Sequence, residues 1–342
     1  MTGEATPMST LDPRSLVVVT GAGGFIGGHL VAELRRRGHD HIRAVDCKPL
    51  VEWYQSFDNV ENHVLDLREV NACDIAARDS RYIFNLAADM GGMGFIELNK
   101  AACMLTVLIN THMLMAARTA GTERFFYSSS ACVYAAEKQT SAAVQPLREQ
   151  DAYPAMPEDG YGWEKLFSER MCRHFTEDFG LLTRVARYHN VYGPHGTYDG
   201  GREKAPAAVC RKVIQAQLSG SGEIEIWGDG EQTRSFTYID DCLDGTLRLM
   251  ESSVAEPLNI GSDQLVTINQ LVDIVEKIAG VALKRRYKLD APKGVRGRNS
   301  DNTLVHARLG WAPSVRLEDG MRRTHAWILE QMTADAARRV FA

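Results

Sequence analysis

The sequence predicts an α/β fold, a doubly wound parallel sheet with a smaller C-terminal substrate-binding region, on three observations. A β-branched run, Leu16-Val17-Val18-Val19-Thr20, enters a glycine-rich turn and then an amphipathic stretch. Strand-like and helix-like segments keep alternating as far as Tyr188. From there the alternation loosens into glycine- and arginine-bearing loops between shorter elements. Regular β/α alternation predicts parallel strands with helices on both faces of the sheet.

The first turn is Gly21-Ala22-Gly23-Gly24-Phe25-Ile26-Gly27, followed by Leu30, Val31 and Leu34 at helical spacing and by Gly38 as a stop. Glycines at 21, 24 and 27 let the backbone approach a pyrophosphate against the helix N-terminus, the arrangement of a Rossmann-type dinucleotide fold. A bare strand-to-helix connection accounts for the glycines alone equally simply. The next strand, residues 41–45, ends in Asp46, nineteen residues after Gly27. An acid there accepts from ribose hydroxyls and repels a 2′-phosphate, which favours NAD over NADP. A strand over 62–65 ends in Asp66, placed either for an adenine-side contact or as a solvated turn acid. Residues 82–87 form a buried strand, and the small residues of Ala88-Asp89-Met90-Gly91-Gly92-Met93-Gly94 leave room for a ligand. Residues 96–120 read as one long apolar helix, mostly buried on the sheet, with a dimer face shared with a helix over 161–179.

The strand at Phe125 runs into Ser128-Ser129-Ser130-Ala131-Cys132, and a polar, proline-bearing loop then leads to Tyr161-Gly162-Trp163-Glu164-Lys165. Tyr161 and Lys165, four apart, share one helix face. An ammonium beside a phenol favours the phenolate, and Ser130 arrives to hydrogen-bond the same substrate oxygen. Such a set takes a proton from an alcohol while a nicotinamide takes the hydride.

In the remainder, residues 183–188 read as a strand and 207–218 as a helix. A strand pair over 224–227 and 234–237 is joined through Gly228-Asp229-Gly230, and further helices span 241–250, 267–279 and 317–332. The chain therefore divides into a loose tail (1–15), an NAD-binding Rossmann domain carrying the catalytic residues (16–187), and a mainly substrate-binding region interleaved with late sheet elements (188–342).

A 44% hydrophobic and 24% charged composition allows a sizeable core, and a net charge of −5 gives no footprint for nucleic acid. No run reads as the roughly 18 apolar residues of a membrane helix. Seven cysteines without a C-x-x-C pair, and no signal-like apolar segment at the start, point to a reducing compartment and a cytoplasmic protein.

The blocks Ala88-Asp89-Met90-Gly91-Gly92-Met93-Gly94-Phe95, Ser129-Ser130-Ala131-Cys132, 200–208, Trp227-Gly228-Asp229-Gly230, Gln232-Thr233-Arg234-Ser235-Phe236 and 294–302 carry a resemblance. The chain resembles, from about Leu16 to Trp327, the extended short-chain dehydrogenase/reductases acting on nucleotide sugars, and among them the 3,5-epimerases of GDP-hexoses. The resemblance implies NAD held at Gly21, Gly24, Phe25, Ile26, Gly27, Asp46 and Asp66, with Tyr161 as C4 hydroxyl base and Lys165 as its partner. It implies Cys132 and Lys204 as an epimerisation pair. It places the GDP-sugar at Gly91, Ser130, Ala131, Cys132, Asn190, Glu203, Lys204, Ala205, Lys212, Gln232, Thr233, Arg234 and Arg298, with the two arginines at the diphosphate, whose oxygens match a planar guanidinium. It further implies a homodimer and the conversion of GDP-mannose to GDP-L-galactose or GDP-L-gulose. The chain departs from the pattern at Ala135, where a proline is expected, and through residues 136–159. A 4-epimerase, a 5-epimerase, a 4,6-dehydratase and a non-catalytic NAD(H)-binding regulator stay open as alternatives, and singly Cys132 also fits a small buried hydrophobe and Lys204 a solvated charge.

Overall fold

The computed structural model describes residues 10–292 and 294–340, with side chains through residue 334. Strands β1 (Val17–Thr20), β2 (Ile42–Asp46), β3 (Glu61–Val64), β4 (Tyr82–Asn85), β5 (Arg124–Ser130) and β6 (Leu182–Tyr188) lie parallel in one sheet. Helices α1 (Phe25–Arg36), α2 (Val70–Ala77), α3 (Met93–Leu98), α4 (Lys100–Met104), α5 (Thr106–Thr119) and α6 (Tyr161–Phe179) alternate with them. After β6 come β7 (Val191–Tyr192), α7 (Ala205–Ser219), β8 (Glu223–Trp227), β9 (Thr233–Ser235), β10 (Thr237–Tyr238), α8 (Ile239–Glu251), β11 (Leu258–Ile260) and β12 (Leu265–Thr267). The chain closes with α9 (Ile268–Ala279), β13 (Lys284–Lys288), β14 (Gly297–Arg298), α10 (Thr303–Leu309) and α11 (Leu317–Val340).

The seven-stranded sheet has the order β11-β6-β5-β4-β1-β2-β3. Chain direction across the sheet reverses beside β1, between β2 and β4, and ligands of open α/β sheets bind at the carboxyl ends of strands at such a point. Side chains of β1 alternate between faces: Val17 and Val19 join one apolar cluster with Leu30 and Leu34 of α1, while Val18 joins the other with Met113 and Leu114 of α5. Both faces are thus covered, which is why the strands read as near-continuous apolar runs. One late element returns to the main sheet, β11 pairing with β6.

Four expectations are corrected. Residues 1–9 of the expected tail lie outside the described residues, but Leu11 is buried and Asp12 accepts from Ser15 Oγ at 3.0 Å, so residues 11–15 are held on the protein. The helix read over 96–120 is three helices, broken at Asn99, whose φ of −129° is not helical and whose side chain donates to the Phe95 carbonyl at 2.9 Å. The strand pair around Gly228-Asp229-Gly230 is not a hairpin: β8 pairs in parallel with β13, and β9 pairs with β12 and β14. The glycines turn the chain, but partners from far downstream take the two strands into different sheets. Finally, the run Lys100–Thr119 is long and apolar enough by composition to cross a membrane, at a hydropathy of 1.3. It lies against the sheet, with Asn110 buried and bonded inside the protein.

Candidate active site

The glycine turn is tight for a steric reason. A Cβ at Gly27 would sit 2.2 Å from the Gly21 carbonyl oxygen, so only glycine lets α1 begin this close to β1. No side chain caps α1 at Gly24, leaving the positive end of the helix facing the turn. Asp46 closes this corner, its carboxylate accepting from the backbone N–H of Gly23 and of Lys48, each at 3.0 Å. These features fit a dinucleotide: a cradle that a Cβ would fill, a helix N-terminus for the pyrophosphate and an acid for ribose hydroxyls. Phe25 and Ile26, at the start of α1, are half-buried and pack on the core. Trp53, absent from the sequence-based site, lies over Gly23, where a Cβ would come within 2.6 Å of the indole. Asp66 ends the β3 region on the same edge, and Arg68 donates to both of its carboxylate oxygens, the shorter contact being 2.6 Å.

At the end of β5, Ser130 Oγ accepts from the Cys132 backbone N–H at 3.2 Å and caps the short turn of residues 131–133. Tyr161 opens α6, and Gly162 lets that helix press on this turn, since a Cβ there would lie 2.3 Å from the Cys132 carbonyl oxygen. Burial pushes the Tyr161 phenol well above its usual value, with Ser130 close enough to lower it in part. Desolvation, and not the downward push expected from Lys165, sets the direction. Lys165 is itself buried, which lowers its ammonium; its Nζ donates to the Ser128 carbonyl at 3.0 Å and stands 5.5 Å from the centre of the Tyr161 ring.

A buried polar chain backs this pair. Thr20 Oγ1 donates to Asn85 Oδ1 at 2.8 Å, Asn85 Nδ2 to Asn110 Oδ1 at 2.8 Å, and Asn110 Nδ2 to Glu164 Oε1 at 2.5 Å. The second oxygen of Glu164 lies 3.9 Å from Lys165 Nζ. The strand that leads into the dinucleotide turn is thereby tied to the helix carrying Tyr161 and Lys165.

Between the sheet and the C-terminal region lies a cleft of about 250 Å³. It gathers Ser130, Ala131, Cys132 and Tyr161 from one side and Glu203, Lys204, Ala205 and Lys212 from the other, with Gly91, Asn190, Gln232, Arg234 and Arg298 also on its wall. Lys204 stands at the N-cap of α7, and burial lowers its ammonium below the usual lysine range, with Cys132 close enough to act on it electrostatically. Gln232 Nε2 donates to the Trp227 carbonyl at 2.9 Å, while its Oε1 is buried without a partner, an acceptor left for a ligand hydroxyl or N–H.

Lys165 is sealed behind Tyr161, outside the cleft wall, where a partner of the phenol belongs. Thr233 is absent from that wall too, its Oγ1 donating to the Ala142 carbonyl at 2.6 Å. Arg298, on the cleft wall, also has protein partners: Nε donates to Gln139 Oε1 at 2.7 Å, Nη1 faces Cys132 Sγ at 3.6 Å, and Nη2 pairs with Glu158. Gln139 and Glu158 both come from the loop whose sequence departs from the family pattern. Met90, Met93 and Trp227, also on the wall, have no polar motif to mark them in the sequence.

Known proteins match this arrangement. Residues 17–261 match the NAD dependent epimerase/dehydratase family. The chain is 50% identical over 317 residues to a GDP-mannose 3,5-epimerase 1 of Oryza sativa subsp. indica, covering 92% of this chain and 82% of the relative. It is 47% identical over 323 residues to a GDP-mannose 3,5-epimerase of Arabidopsis thaliana, covering 94% and 84%. Among solved structures, a UDP-glucose 4-epimerase of Thermotoga maritima with UDP-glucose superimposes with a TM-score of 0.82 at 26% identity, covering 92% of this chain and 99% of that one. MoeE5 in complex with UDP-glucose and NAD does so with a TM-score of 0.76 at 28% identity, covering 93% and 99%. Glycine turn, Ser-Tyr-Lys set, sheet order and these matches agree: the chain belongs to the NAD dependent epimerase/dehydratase family.

Proposed function

We propose that the protein is an NAD-dependent 3,5-epimerase of a GDP-hexose, with GDP-mannose as substrate and a GDP-hexose inverted at C5, or at C3 and C5, as product. The observation that carries this reading is the meeting of Cys132 and Lys204 in the cleft that also holds Ser130 and Tyr161. A 4-epimerase or a non-catalytic NAD(H)-binding regulator has no need of a thiol and an amine beside the alcohol base. The names of the relatives at 47–50% identity supply the GDP-mannose.

A C–H at C3 or C5 of a hexose is too weak an acid for either group to remove. Once C4 is a ketone, both hydrogens lie α to a carbonyl and their removal leaves a delocalised enolate. NAD, when bound, brings a positively charged ring and accepts and returns the C4 hydride. Tyr161 takes the proton of the C4 hydroxyl, with Ser130 holding the same oxygen. Cys132 and Lys204 then act as base and acid: one removes the α-proton and the other delivers a proton to the opposite face, inverting the centre. Tyr161 finally returns its proton to the C4 oxygen as the hydride would return to C4, so that no cofactor is consumed. Incubating the NAD-loaded protein with GDP-mannose and following the ring couplings by NMR tests the reading. Inversion at C5, with or without C3, is expected with C4 retained; inversion at C4 alone would make the protein a 4-epimerase.

The exposed side of α5 and α6 supports a homodimer. Met115 and Phe167 are 52% and 51% exposed on adjacent helices, with Leu105, Leu108 and Phe179 also uncovered. A second copy covering this face also gives the apolar run Lys100–Thr119 a partner without a membrane. Phe167→Glu is expected to halve the sedimenting mass; an unchanged mass would place the contact elsewhere. Seven free cysteines, six of them buried, support a cytoplasmic, reducing setting.

A further inference from the structure

We propose that Glu158 is a positioning residue for Cys132: it fixes Arg298 against the thiol and supplies the negative charge that keeps this sulfur able both to take and to give a proton. The inference rests on the reading of Cys132 as a proton-transfer group. Glu158 grips the site twice. Its backbone N–H donates to the Cys132 carbonyl at 3.1 Å, and its carboxylate pairs with Arg298 Nη2. Arg298, 4% exposed, is held on its other edge by Gln139, itself fully buried, and turns Nη1 towards Cys132 Sγ at 3.6 Å.

The charged and titratable groups facing the thiol come from every element around it. Arg298 on β14, Arg234 on β9, Lys204 at the start of α7 and Lys165 on α6 are the basic side chains. The Tyr161 hydroxyl and the Cys103 thiol of α4 share its cluster, and Glu164 lies behind Lys165. Glu203, next to Lys204, is occupied by Arg211 at 2.9 Å and the Gly201 N–H at 2.7 Å. Basic groups therefore outnumber acids around the sulfur. Unopposed, their field holds a thiol as thiolate, which removes a proton readily but returns one poorly. A carboxylate paired with the nearest guanidinium offsets that field at its source.

The test uses the full-length, NAD-loaded protein without sugar, so a failure of the epimerase reading leaves it intact. Alkylation of Cys132 by iodoacetamide is followed by peptide mass spectrometry across a pH series, with the buried Cys210 as the unfolding control. Glu158→Gln, which keeps an oxygen for Arg298 but drops the charge, is expected to raise the rate at neutral pH about tenfold and displace the rate curve to lower pH. Glu158→Asp, which keeps the charge, is expected to restore the wild-type curve. Where Glu158→Gln exposes Cys210, Glu158→Ala carries the same expectation. A neutral variant that overlays wild type, or an Asp variant that behaves like Gln, overturns the proposal.

Discussion

Tyr161→Phe is expected to lower GDP-mannose turnover by about 10³-fold, with NAD binding preserved. The phenol is the group positioned to take the C4 hydroxyl proton: it shares the cleft wall with Ser130 and has Lys165 behind its ring. Phenylalanine keeps the packing against Cys132 and removes only the oxygen. Because burial raises the Tyr161 phenol, its base form is scarce at neutral pH. Wild-type turnover should therefore rise as pH increases from about 6 to about 8, the direction expected when a raised acid must ionise before it acts. Steady-state kinetics across that range check both statements. Turnover by Tyr161→Phe within tenfold of wild type would remove Tyr161 from the chemistry.

Cys132→Ser and Lys204→Met are expected to separate the two halves of the reaction. Each should slow inversion at C5 by about 10²- to 10⁴-fold, since each removes one partner of an acid–base pair. Oxidation at C4 depends on Tyr161, Ser130 and Lys165, so a single turnover in either variant should still give transient absorbance of reduced nicotinamide. Loss of that absorbance together with inversion would mean that Cys132 or Lys204 binds the sugar without moving its protons. Lys204 carries the larger risk of such a dual role, because it stands at the N-cap of α7 and burial already lowers its ammonium.

What the sequence disclosed followed the range over which its signals act. The turn from Gly21 to Gly27 and the Tyr161/Lys165 pair are written in local spacing, so they could be read directly, and Asp46 follows from its distance to the turn. Cys132 and Lys204 meet across 71 intervening positions and carry no spacing rule. They entered through resemblance, and the cleft brings them together. The protein partners of Arg298 could not be read from the sequence, because Gln139 and Cys132 lie 159 and 166 residues away, in or beside a loop with no periodicity. Chemistry alone, a guanidinium near a nucleotide, favoured the diphosphate. The partner of β8 was misassigned for a similar reason, since Gly228 and Gly230 mark a turn but do not say which strand pairs with which.

The claim on which the rest depends is that a hydride leaves C4 and returns to it while neighbouring carbons trade protons with solvent. GDP-mannose carrying deuterium at C4 tests this most directly, turned over in ordinary water beside an unlabelled sample in heavy water. The C4 label is predicted to remain in the product of the first reaction, with solvent deuterium appearing at each inverted carbon in the second. Washout of the C4 label, or an inverted carbon that keeps its original hydrogen, would contradict the account.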